Sequence, residues 1–289
     1  MSKDKLLVIV GPTASGKTSL AIDIANKYDG EIICADSRTI YRGMDMGTAK
    51  PTIKEQQGIK HYLLDILDPG QKFSAADFKE ACIEAVKEIR SRGKLPIIVG
   101  GSGLYIDAYL YDYQFRNNDK STIDTTEMSE SEMIELANKM YPQEMSEIDS
   151  KNIQRVEQLI ERGPVNKEDR KLIKIECKII GLNPEKPKLK QNIELRTKEM
   201  LNNGFVQEVE QLRAKYVKEC PSLQTIGYKQ VNSMLDGDLD QNDVENTINR
   251  ATLDLAKRQL TWFKRNKSIE WIENPQDGMK IAEEYLGSI

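Results

Sequence analysis

One stretch combines residue types and spacing that suit an anion: Gly11-Pro12-Thr13-Ala14-Ser15-Gly16-Lys17-Thr18, which reads G-x-x-x-x-G-K-[ST]. It directly follows the apolar run Leu6-Leu7-Val8-Ile9-Val10. A buried strand, a glycine-rich turn and a helix in that order make a phosphate cradle. Glycines let the backbone curl so that successive N–H groups point inward at the anion. A helix beginning near Lys17 adds its positive dipole end. Lys17 supplies a mobile full charge, and the Thr18 hydroxyl is placed to ligate Mg²⁺, the expected cofactor. The expected ligand is a di- or triphosphate.

Loops of this kind usually serve kinases, ATPases and GTPases, which need a further carboxylate at the end of an apolar strand. The run Leu95–Val99 ends in Gly100-Gly101 and has none, whereas Glu31–Cys34 leads into Ala35-Asp36. Asp36 is therefore the well-placed carboxylate, at the sheet edge where α/β proteins bind ligands. Three readings fit it: an anchor for metal-bound water, a general base, or an aspartate that caps a turn. Gly100-Gly101-Ser102-Gly103-Leu104-Tyr105 is a second glycine-rich turn that would expose the Ser102 hydroxyl, or else a plain strand-to-helix turn.

The elements that must position these residues alternate. Strands are expected at Leu6–Val10, Glu31–Cys34, Tyr62–Leu64 and Leu95–Val99, and helices at Lys17–Lys27 and Ala75–Arg92. Ser74 and Asp77 occupy the N-cap and N3 positions of the second helix, a variant capping box. Near-continuous apolar strands between helices predict an α/β fold, a P-loop NTPase-like parallel sheet covered on both faces. The pattern breaks at Phe115. Residues Asn117–Ser131 are polar and read as a loop, followed by helices near Glu132–Met140 and Asn152–Glu161. A core of 1–113 and 165–289 is thus expected, with 114–164 a small helical insertion domain. A strand at Leu172–Ile180 resumes the core. Helices then follow at Leu189–Asn202, stopped by Gly204, at Val206–Tyr216 and near Asp243–Arg265.

The net charge of −4 argues against coating nucleic acid by bulk charge, but leaves room for a local basic groove. Two groups of cations could form one: Lys186, Lys188 and Lys190, and Lys257, Arg258, Lys264, Arg265 and Lys267. Cys34, Cys82, Cys177 and Cys220 lie far apart, and the chain has a single histidine, so neither zinc spacing nor a disulfide framework is indicated. No apolar run suits a signal peptide or a membrane span, and a cytoplasmic protein is expected.

Taken together, these stretches resemble the tRNA dimethylallyltransferases. The matching segments are the loop Gly11–Thr18; Ala35-Asp36-Ser37 with Tyr41–Pro51; His61–Pro69; and Val99–Ile106. Downstream, Gln224-Thr225-Ile226-Gly227-Tyr228-Lys229 and Ala256-Lys257-Arg258-Gln259-Leu260-Thr261-Trp262-Phe263 also match. The resemblance implies that the loop binds the diphosphate of dimethylallyl diphosphate. Lys17 and Mg²⁺ on Thr18 would meet the charge that develops as the C–O bond breaks. The acceptor would be the N6 amine of the adenine at tRNA position 37, flipped from the anticodon loop. Asp36 takes the general-base role, Ser102 lies near the acceptor or diphosphate, and Arg196 clamps the diphosphate. On periodicity alone, Arg196 reads as a solvated helix residue.

The implied RNA contacts are Asp36, Ser37, Arg38, Thr39, Ser102, Gln154, Arg155, Gln158, Gln224, Gly227, Tyr228 and Lys229, with the insertion touching tRNA. A monomer is expected. The sequence departs from the family pattern at Arg38-Thr39, commonly methionine-glutamine, and at Asn192, Gln158 and Leu253, commonly arginine. Ser102 replaces a threonine, Tyr62 a frequent second histidine, and the insertion is shorter. Three other readings remain: an ATP-dependent small-molecule kinase, a relative that prenylates free adenine nucleotides, and a non-catalytic tRNA-binding relative.

Overall fold

The central strands come from the runs with the most continuous apolar character, and several helices begin at a side-chain cap or a glycine turn. The structure is a computed structural model that describes residues 5–115, 123, 125, 128–150, 152–163, 175–217 and 220–287, the side chains of 154, 158 and 162 excepted. Along the chain the elements are β1 (Leu7–Val10), α1 (Lys17–Tyr28), β2 (Gly30–Cys34), β3 (His61–Tyr62), α2 (Ala75–Ser91), β4 (Leu95–Gly100) and α3 (Gly103–Leu110). Then follow α4 (Glu130–Met140), α5 (Pro142–Met145), α6 (Ile153–Arg162), β5 (Lys178–Leu182), α7 (Lys186–Asn202) and α8 (Phe205–Arg213). The last are α9 (Tyr228–Leu235), α10 (Val244–Phe263), β6 (Ile269–Ile272) and α11 (Pro275–Leu286).

Among the described residues six strands form one sheet in the order β3-β2-β4-β1-β5-β6, and their pairings are parallel. A parallel sheet needs apolar residues on both faces. All of β1 and β4 is accordingly buried. From β1 the chain passes to β2 on one side, while β5 joins β1 on the other. The carboxyl ends of β1 and β4 therefore mark the switch point where open α/β sheets bind ligands. One core lies between the sheet and α1 and α11, around Leu20, Ile24, Tyr28 and Ile281. A second joins the 40–48 loop to α8, α9 and α10 through Met44, Phe205, Tyr228 and Ile248.

The chain divides into two compact units, Met1–Leu110 with Lys174–Ile289, and Tyr111–Ile173. In the smaller, Met133, Ala137, Val156 and Ile160 bury one face each of α4 and α6. The capping box on α2 forms: the Ser74 hydroxyl accepts from Asp77 N, and Asp77 accepts from Ser74 N. Ser129 and Glu132 make a second at α4, so that helix begins two residues before the expected Glu132.

Other expectations are corrected. β3 is two residues long, because Leu63 has φ +59 and leaves the extended region. The strand expected at Leu172–Ile180 is Lys178–Leu182, in register with β1, and 171–174 lie outside the described residues. The C-terminal remainder is not wholly helical: Ile269–Ile272 pairs with Ile179–Leu182. α7 starts at Lys186 because Pro187 suits a first turn that lacks partners for its N–H groups. Among the described residues, no helix is long and apolar enough to cross a membrane.

Candidate active site

The glycine-rich loop runs from the buried end of β1 into α1. Gly16 caps α1 with φ +89, a left-handed conformation that glycine adopts without a Cβ penalty. Leu20 N donates to Gly16 O, so the helix starts there and its N-terminus faces the loop's hollow. Lys17 folds back and donates to Pro12 O at 2.6 Å. Thr18 sits on the exposed side of the same turn.

Asp36 follows β2. Its Oδ1 accepts from Arg38 N at 2.9 Å, so it does cap a turn. Oδ2 carries no bond from a described residue, which leaves one carboxylate oxygen for chemistry. Ala35 is pinned on both sides: its N donates to Val99 O, and its O accepts from Ser102 N. A Cβ at Gly100 would overlap the Ala35 carbonyl, which is why a glycine must end β4 there. The Ser102 hydroxyl accepts from Ser37 N at 2.9 Å. The second glycine turn therefore holds the Asp36 loop in place.

Arg196, on α7, is half-buried and crosses to the loop. It donates to Thr13 Oγ1 at 3.2 Å and to Thr48 O at 3.0 Å. Four residues earlier, Asn192 donates to Ala14 O at 3.0 Å. It tethers the loop without adding charge. Burial lowers the Lys17 amine to about 8; Asp36 opposes that shift and Arg196 reinforces it. Burial also lowers Arg196, against the pull of Asp36. Neither cation has a salt-bridge partner among the described residues. Two desolvated cations without a carboxylate contact are costly unless an anion joins them.

Lys17, Thr18, Asp36 and Arg196 line one cavity of about 250 Å³. Its farther wall includes Ile32, Leu64 and Cys34, whose thiol burial pushes up to about 12 and keeps neutral. A second cavity, about 470 Å³, is lined by Ser37, Arg38, Ser102, Gln224, Gly227 and Arg258 among others. Thr13, Ala14, Asp36, Thr48, Arg196 and Gln259 line both. One cavity thus offers cations and an apolar wall, the other polar groups and exposed cations, and Asp36 stands at their junction.

The remaining sequence-derived residues divide. Thr39 is buried and lines the first cavity rather than the second. Lys229 is exposed. The Tyr228 side chain is fully buried against Phe205, and its hydroxyl donates to Glu208 at 2.6 Å. It packs in the core with Leu223 and Met44, so its side chain offers no exposed surface for the contact expected of it. Arg155 is exposed on α6 in the smaller unit, and the side chains of Gln154 and Gln158 lie outside the described ones. Leu253 packs against Leu189, Ile193 and Ala256, an apolar contact between α10 and α7. Lys186, Lys188 and Lys190 are exposed on the first turns of α7, and Arg265 stacks on Trp262 at 4.0 Å. Gln259 was missed as a site residue, although it lies inside the quoted Ala256–Phe263 stretch. It accepts from Thr13 N at 2.8 Å and donates to Gly101 O at 3.1 Å.

The model of the IPP transferase family matches residues 39–266. A tRNA dimethylallyltransferase of Bacillus anthracis is 37% identical over 299 residues, covering 98% of this chain and 95% of that protein. Two solved structures have the same architecture. The tRNA isopentenylpyrophosphate transferase of Bacillus halodurans aligns with a TM-score of 0.76 at 32% identity, over 98% of this chain and 96% of that one. The tRNA delta(2)-isopentenylpyrophosphate transferase of Staphylococcus epidermidis gives 0.74 at 32%, over 98% and 99%.

Proposed function

The chain belongs to the IPP transferase family, and we propose that it transfers a dimethylallyl group from dimethylallyl diphosphate to the N6 amine of the adenine at position 37 of tRNA. The observation that carries the reading is the pairing of Lys17 with Arg196, two half-buried cations facing one cavity without a salt bridge among the described residues. The donor's diphosphate supplies the missing negative charge. The loop's N–H groups and the α1 dipole add to the clamp. Positive groups fixed before the reaction stabilise the charge that builds on the leaving oxygen.

The acceptor base enters from the second cavity, between the Gln224–Gly227 turn and Arg258. As the C1–O bond breaks, the N6–C1 bond forms, and Asp36 Oδ2 takes the N6 proton. The Arg38 amide on Oδ1 and the Ser102 hydroxyl on Ser37 N hold that carboxylate in orientation. The apolar wall around Ile32 and Leu64 suits a hydrocarbon chain.

The residues present also suit Mg²⁺. The Thr18 hydroxyl and the Asp36 carboxylate line the same cavity, and both offer the oxygen ligands that this ion takes. Thr18 would hold it, and the bound ion would offset charge on the diphosphate. Arg155 is exposed on α6 of the smaller unit and, with Gln154 and Gln158 carried over from the family resemblance, would contact the RNA; the chain acts as a monomer.

Incubation with dimethylallyl diphosphate, Mg²⁺ and unmodified tRNA, followed by nucleoside mass spectrometry, tests this. N6-isopentenyladenosine at position 37 is expected, with release of diphosphate. ATP consumption with a small acceptor and no prenylated nucleoside would contradict it.

A further inference from the structure

Gln259 spends both halves of its side-chain amide on the backbone of two different loops. Oε1 accepts from Thr13 N in the donor loop, and Nε2 donates to Gly101 O in the turn beside Asp36. The contact is close: a Cβ at Gly101 would overlap the Gln259 amide. On one side of Gln259, Thr13 also accepts from the Arg196 guanidinium. On the other, Gly101 precedes Ser102, whose hydroxyl accepts from Ser37 N next to Asp36. An unbroken chain of contacts therefore runs from the diphosphate clamp through Gln259 to the base. Gln259 also lines both cavities, and its helix α10 contributes Thr252, Leu255 and Arg258 to the acceptor wall. Trp262, one turn on, holds α10 to α3 by donating to Asp107 Oδ2 at 2.8 Å.

We propose that Gln259 is a positioning residue that sets the spacing between the diphosphate loop and Asp36 and couples occupation of the two cavities. RNA bound against Thr252, Leu255 and Arg258 fixes α10, which fixes the Thr13 amide and so tightens the donor loop. Coupling between sites is reciprocal, so bound donor must tighten RNA to the same degree. This inference rests on the reading of the two cavities as donor and acceptor sites. It adds that they do not bind independently.

The test measures affinity for an unreactive donor analogue, with sulfur in place of the bridging oxygen, by calorimetry. Titrations are run with and without an unmodified anticodon stem-loop, on the wild type, Gln259→Leu, Gln259→Glu and the control Thr261→Ala. Thr261 is exposed and, among the described residues, its hydroxyl bonds within α10, to Lys257 O, so its variant should match the wild type. In the wild type, RNA should tighten the analogue at least about fivefold, the lower end of ordinary coupling. Gln259→Leu should reduce that factor to near one and lower kcat at least about tenfold, because a misplaced base costs rate as well as affinity. Gln259→Glu keeps an acceptor for Thr13 N but loses the donor to Gly101 O. It too should lose the coupling, which guards against a leucine variant that folds poorly. A wild type that transfers prenyl without coupling, or variants that keep the full factor, would overturn the inference. A wild type that transfers no prenyl at all would instead overturn the proposed function.

Discussion

Replacing Asp36 with asparagine separates the base from everything else in the site. The side chain keeps its shape, and an amide Oδ1 can still accept from Arg38 N, so the turn survives. Stability should stay within about 0.5 kcal/mol of the wild type. The oxygen that takes the N6 proton becomes an amide nitrogen, which cannot take it. A positioned general base contributes about 10²–10⁴-fold, or roughly 3–5 kcal/mol of barrier. Donor affinity should move the other way. The Asp36 carboxylate interacts electrostatically with both Lys17 and Arg196, and the diphosphate must share those cations with it. Removing the carboxylate relieves a like-charge repulsion of up to about 1 kcal/mol, so the donor binds equally well or up to about fivefold tighter. Single-turnover prenyl transfer and calorimetric titration of the donor read the two effects separately. Turnover within tenfold of the wild type would refute the base assignment. A large loss of donor affinity would refute the placement of Asp36 opposite the clamp. Asp36→Ala is less clean, since it also removes the turn hydrogen bond, at about 1 kcal/mol.

Lys17→Ala should weaken the donor by about 1.5–3 kcal/mol, the value of a hydrogen bond from a charged group, and an unchanged calorimetric Kd would contradict it. Because burial lowers Lys17 to about 8, donor affinity should fall as pH rises through that value. At pH 9 only about a tenth of the free enzyme would carry the charged lysine, and Lys17→Ala should flatten the profile. Arg196→Gln removes the charge that crosses from α7 to Thr13 and Thr48, so the donor Kd should rise about tenfold or more. A smaller rise would mean that Arg196 serves only to brace the loop. Gly47→Ala should destabilise by about 1–3 kcal/mol, because its Cβ would overlap the rings of Tyr228 and Phe205. An unchanged melting temperature by calorimetry would show that this core yields.

The parts of the fold that local chemistry determines were the legible ones. β1 and its loop are a motif in consecutive residues, and Asp36 stands out because one apolar strand ends in a carboxylate where its neighbour ends in glycines. Ser74 and Asp77 mark the start of α2 for the same reason. β6 was not legible: Ile269-Glu270-Trp271-Ile272 is short and carries a charge. Its extended state comes from pairing with β5. Arg196 could be read only through resemblance. Its neighbours Glu194, Leu195, Lys198 and Glu199 are exposed, as on any solvated helix, and what covers it is a loop 183 residues earlier in the chain. Gln259 was hidden the same way, since its partners Thr13 and Gly101 lie 246 and 158 residues away. Tyr228 was carried over with its whole stretch by resemblance, which does not say which way a side chain points; the missing Cβ at Gly47 lets its ring into the core.

The account turns on where the donor's diphosphate sits. A crystal structure with the sulfur-bridged donor analogue would locate it. The diphosphate should lie within hydrogen-bond reach of Lys17 Nζ and the Arg196 guanidinium, in the hollow of residues 11–18, with C1 turned toward Asp36. A diphosphate bound away from that loop, or a C1 atom shielded from Asp36, would contradict the account.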